Sequence, residues 1–186
     1  MSKAKIGKRE ALHARTEALF TRSWRQEEKG EFLSAFRCLL SGAKLGDTSC
    51  QINLGNYYDD GKVVKRNRKA ALYWYNRALN KGDSTGAQNT GILYRIEGDF
   101  DKALFWLKRA VALGDIEANL WVAKVLIENK NAPKLAIPHL NLVCKAKPYA
   151  EVSFDGQKEA ARLLKRLTKL PRGSERAKSR QRTTSN

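Results

Sequence analysis

The stretch LYWYNRALNKGD (Leu72–Asp83) sets three aromatics beside an alanine and an arginine, then stops on Gly-Asp. A near copy, LFWLKRAVALGD, runs from Leu104 to Asp115, and an earlier version, FRCLLSGAKLGD, from Phe36 to Asp47. Self-similarity at a fixed period is the signature of a repeat architecture. Aligned on Gly46, Gly82 and Gly114, the copies are spaced 36 and 32 residues apart. Before each glycine stand matching positions: Ala35, Ala71 and Ala103, then Cys38, Trp74 and Trp106, then Leu39, Tyr75 and Leu107. Gly42, Ala78 and Ala110 complete the series, and beyond the glycines Gly55, Gly91 and Ala123 correspond in the same way.

Offsets of three, four and seven fall on one face of a helix. That face alternates small residues with large ones, so two helix axes can approach closely while the aromatics fill the space between hairpins. Gly-Asp then makes a corner: glycine adopts the left-handed conformation that ends a helix, and aspartate caps the amides of the next. The pattern predicts a leading helix near Arg9–Glu28, followed by paired helices. These run near Glu31–Leu45, Thr48–Asp59, Arg68–Lys81, Ser84–Glu97, Phe100–Leu113, Ile116–Glu128 and Ala132–Lys145, with a last helix ending near Lys169. Pro138 falls inside one of these and is expected to kink it.

The segment Cys50–Gly82 resembles the Sel-one-like repeat, a relative of the tetratricopeptide repeat. The resemblance is carried by Cys50, Leu54 with Gly55, Tyr58, Gly61 with Val64, and Ala71, Trp74, Tyr75 and Ala78. The next unit has the shorter turn IEGDFDK, with Asp99 as an expected N-cap, and the third has His139 in place of the tryptophan. The resemblance implies an all-α fold, a right-handed α-α superhelix (solenoid) of about four helix-turn-helix repeats. Three segments follow: 1–30, a basic N-terminal segment and leading capping helix; 31–170, the repeat array; and 171–186, a disordered basic tail.

The net charge of +17 is spread along the chain and draws anionic partners without choosing among them. Cys38, Cys50 and Cys144 follow no metal-ligand spacing and sit in apolar helical patterns, as reduced packing residues would. No apolar leader or run of membrane-spanning length is seen, so a cytoplasmic location is expected. His13 and His139 lack partners at ligand spacing, and Asp59-Asp60-Gly61 lacks the later ligands of a calcium loop. Phosphate-cradling glycine loops and nucleophile elbows are missing too. The expectation is a non-enzymatic protein with no catalytic, metal or cofactor site.

The tetratricopeptide resemblance implies a binding face made by the first helix of each hairpin. It picks Ile52 and Asn56, then Gln88, Ile92 and Arg95, then Leu120, Lys124 and Ile127, with Trp24 extending the row. Apolar residues flanked by cations would suit an acidic protein or peptide. An adaptor-like or immunity-type neutralising partner of an acidic protein is one form of this. The alternative is nonspecific nucleic-acid binding through Arg162, Lys165, Arg166 and Lys169 on the last helix, continued by Arg172 in the tail.

Overall fold

The computed structural model describes residues 3–129 and 132–169, and its described residues form helices and turns with no strand. A long helix α1 (Lys3–Glu28) leads into α2 (Phe32–Leu45). Three hairpins follow: α3 (Thr48–Asp60) with α4 (Arg68–Leu79), α5 (Ser84–Ile96) with α6 (Phe100–Ala112), and α7 (Ala118–Glu128) with α8 (Ala136–Lys145). Helix α9 (Phe154–Lys169) closes the described array. Each helix packs on its neighbours in sequence, as expected of an α-α solenoid.

The Gly-Asp corners form as the sequence predicts. Gly46, Gly82 and Gly114 have φ of 97°, 89° and 95°. The carboxylates that follow them cap the next helix: Asp47 accepts from Cys50 N at 2.7 Å, Asp83 from Thr85 N at 3.1 Å, and Asp115 from Ala118 N at 3.0 Å. Asp99 does the same for α6, accepting from Lys102 N at 3.2 Å.

Small-to-large packing joins the units. Trp74 on α4 meets Phe36, Leu39 and Ala43 of α2, whereas Tyr75, its neighbour, clusters with Ile52 of α3 and Leu93 of α5. Trp106 on α6 packs against Leu79 of α4. Trp74 and Trp106 thus reach back into the preceding unit, while Tyr75 meets its own unit and the following one. The glycines opposite the repeating large residues have no room for a side chain: a Cβ on Gly55 would run into the Tyr75 ring, and one on Gly91 would lie 2.6 Å from Leu107 Cγ.

Two expectations are corrected. Pro138 kinks nothing, because a 3₁₀ turn (Pro133–Leu135) precedes α8 and places Pro138 third in that helix. A first-turn amide has no intrahelical acceptor, so its loss costs little there. The leading helix is also longer than read, starting at Lys3, and residues 5–15 of it are exposed. The segment 171–186 lies outside the described residues.

Candidate interaction face

Helices α1, α3, α5, α7 and α9 are the first members of their units and line one side of the array. A series of polar contacts joins them in order. Tyr57 on α3 donates to Glu27 on α1 at 2.6 Å, and Asn89 on α5 donates to Asn56 on α3 at 3.1 Å. Arg95 on α5 pairs with Glu128 on α7 through both ends of its guanidinium, with Nε 2.8 Å from Oε2. Lys124 on α7 reaches Glu159 on α9 at 2.8 Å. Every neighbouring pair of first helices is thus tied by at least one polar bond.

Trp121 on α7 stands between the last two of these ties. The Arg95 guanidinium lies 5.6 Å from its ring centroid and the Lys124 ammonium 4.0 Å, both within cation–π range. Packing from α6 and α7 holds the ring half-buried. Glu128 and Glu159 fix the two cations from outside. The arrangement is an aromatic platform in a charge-balanced frame, with its side chains set in place before any partner arrives.

The residues singled out from sequence divide three ways. Ile52 and Leu120 are buried, Ile52 against Ala71, Tyr75 and Leu93, and Leu120 against Leu140, Val143 and Leu163. Neither presents a surface, so their assignment to a binding face is corrected. Asn56, Arg95 and Lys124 do lie on the face, but as parts of the ties; Asn56 also accepts from the Tyr75 hydroxyl at 2.8 Å. Ile92 and Ile127 are half-buried against the clusters beneath, and Gln88 is half-buried at the edge of a cleft. Trp24 on α1 is 58% exposed. Trp121, Glu128 and Glu159 were not singled out. The spacing of Trp121, Lys124 and Glu128, three and four residues apart on one helix, is the signal that finds the first of them.

The cleft beside Gln88, about 800 Å³, runs between α5, the α6–α7 corner and the α8–α9 loop. Its carboxylates are already engaged. Glu117 accepts from Ser153 N at 3.0 Å and Oγ at 2.7 Å, Glu151 from Lys147 N at 2.8 Å, and Asp115 caps α7. Burial raises the Asp115 pKa above its ordinary value. The Cys50 thiol is pushed up to about 12 by burial, then by Asp47, and stays protonated as a packing group. His139 donates through Nδ1–H to Asn119 Oδ1 at 2.8 Å, a tautomer assigned from the hydrogen-bond network, and burial followed by Lys108 lowers its pKa. Among the described residues no group of His, Cys, Asp and Glu has the makings of a metal site.

On α9, Arg162, Lys165, Arg166 and Lys169 are exposed, and Arg162 leans toward Glu159 at 3.7 Å. Arg172 lies outside the described residues. Between α3 and α4, Lys62 sits 3.5 Å over Phe32 and Arg66 pairs with Asp59, and at the start of α4 Arg68 pairs with Glu97. No described helix is long and apolar enough to cross a membrane.

A family model for the Sel1 repeat matches residues 48–83 and 87–115. Several solved structures are similar, two of them as follows. One is the crystal structure of a protective antigen present in uropathogenic Escherichia coli strains, displaying an SLR fold. It is 26% identical over 71% of this chain and 31% of its own, with a TM-score of 0.58. The other, a Sel1 repeat protein from Oxalobacter formigenes, is 22% identical over 80% of this chain and 60% of its own, with a TM-score of 0.60. The chain spans less than two thirds of the length of either. No curated protein matches the sequence.

Proposed function

We infer, for a chain that carries two Sel1 repeats, a repeat generally devoted to protein–protein interaction, that the protein is a non-enzymatic module gripping a protein or peptide by its first-helix face. The observation that carries this reading is Trp121, held between Arg95 and Lys124. Binding energy concentrates in a few tryptophan, tyrosine and arginine anchors, and an anchor already ordered loses little entropy on binding. Gln88 on α5 and Ile127 on α7 are half-buried, and Trp24 stands exposed on α1. The charge of +17 supports a partner of acidic character, since it speeds encounter with anionic surfaces. An immunity-type neutralising partner or an adaptor is one form such a binder takes.

Co-purification from native extract at moderate salt, after nuclease treatment, tests this. A stoichiometric protein partner is expected. Trp121→Ala should weaken that complex by about 2 kcal/mol or more, with helix content unchanged by circular dichroism. A complex as tight with Trp121→Ala as without it removes this face from the reading.

A second reading, nonspecific nucleic-acid binding, draws on the exposed stripe Arg162, Lys165, Arg166 and Lys169. It requires oligonucleotide affinity that falls steeply with salt and drops on charge reversal of that stripe. Binding that ignores both changes removes it.

A further inference from the structure

In the central helices, α2 to α7, the two sides of the array differ in charge. The first helices α3, α5 and α7 carry Arg95 and Lys124 against Asp59, Asp60 and Glu128. The second helices α2, α4 and α6 carry eight lysines and arginines against one carboxylate, Asp101. Arg68 and Lys102 of those eight pair with Glu97 and Asp99. The other six, Arg77 and Arg109 among them, meet no carboxylate in the described residues. Within α2 to α7 the uncompensated positive charge therefore lies opposite the Trp121 platform, while at the end of the array α9 carries its own exposed stripe of Arg162, Lys165, Arg166 and Lys169.

On that side one constellation occurs twice, 32 residues apart: Tyr73-Trp74 with Arg77, and Phe105-Trp106 with Arg109. In each, the first ring stands edge-on to the tryptophan, with centroids 5.0 Å and 5.3 Å apart. In each, the guanidinium one turn later lies over the tryptophan, at 5.6 Å and 5.4 Å. Arg77 also donates to the Tyr73 hydroxyl at 2.9 Å. The tryptophans fill the joints between units, yet Tyr73 and Phe105 remain 52% and 61% exposed. Packing does not need them.

We propose that the second-helix side of α4 and α6 is a docking surface for an acidic amphipathic helix of a partner protein. In this complex Arg77 and Arg109 each take one carboxylate, and Tyr73 and Phe105 receive the apolar side chain between them. Charge complementarity sets the sign, and geometry sets the spacing. Helices α4 and α6 are the same member of successive units and both pack on α5, so the two motifs recur one unit apart along the array. Carboxylates seven residues apart on a helix are separated by about 10.5 Å along its axis, with an apolar residue three or four along falling on the same face. Arginine held over an aromatic is preorganised for such a bidentate contact.

The test titrates the full chain with a labelled, staple-constrained helical peptide bearing Glu at i and i+7 and Leu at i+3 and i+4. A peptide of the same composition with the glutamates moved to i+1 and i+6, and a single-stranded oligonucleotide, serve as comparisons. The patterned peptide should bind best. Arg77→Glu/Arg109→Glu should weaken it about ten-fold or more, and the milder Arg77→Gln/Arg109→Gln about five-fold. The charge-matched Lys8→Glu/Arg15→Glu on α1 should change it by less than about two-fold, and so should Trp121→Ala, which lies on the other side. Loss with Trp121→Ala alone would overturn this surface while leaving the first-helix grip standing. Equal binding of the two peptides, equal loss from the α1 pair, or stronger binding of the oligonucleotide at the same arginines would also overturn it.

Discussion

A Cβ on Gly91 has nowhere to go but into Leu107 and the Ala103 carbonyl, and a Cβ on Gly55 meets the Tyr75 ring. Gly55→Ala and Gly91→Ala should each lower stability by about 1–3 kcal/mol, read by denaturant unfolding. Gly82→Ala meets no neighbour within 4 Å, so its expected loss of about 1–2 kcal/mol isolates the left-handed backbone of the corner. His139 gives a pH signature. Its folded pKa lies below the ordinary 6.5, so below that pH the unfolded chain binds the proton more readily and stability falls as the medium is acidified. His139→Gln should flatten the part of the stability–pH curve that begins near 6.5, as measured by melts from neutral to mildly acidic buffer. The residues that repeat were legible in the sequence because each has one packing job. Ile52 and Leu120 were not, because a first-helix side chain is covered or left bare by the wedge of another unit. Periodicity within one helix carries no record of that wedge.

Each helix meets mainly its neighbours in sequence, so damage should stay local. Helix α9 covers the cluster of Ala136, Leu140 and Val143 with Ala160 and Leu163. A chain ended at Ser153 should lose amide protection in α7 and α8 while α3 to α6 keep theirs, a gradient that hydrogen exchange resolves. Uniform loss along the array would mean the units are not separable. Pro138→Ala should shift stability by well under the roughly 3 kcal/mol of a mid-helix proline, since the residue sits in a first turn. The helix order was readable because Gly-Asp marks the corners before α3, α5, α6 and α7. The α8 start was misread for want of such a mark, the sequence there offering Ala132-Pro133 instead.

For the molecule as a whole, composition announces the charge but not its side. The +17 is a sum, and only the stacking of alternate helices sorts Arg77 and Arg109 from Arg95 and Lys124. Exposed pairs of this kind are screened within about 8–10 Å at physiological salt, so binding on the second-helix side should weaken with ionic strength more than binding at Trp121 does. The bonds between successive first helices have a mechanical meaning as well. Each is a strut across one joint, and none spans two. An incoming acid that takes Arg95 away from Glu128 slackens a single joint, letting the rod change its pitch there while its interior stays intact. Small-angle scattering of Glu128→Gln should register this as an altered radius of gyration at unchanged helicity, the behaviour of a spring rather than a clamp.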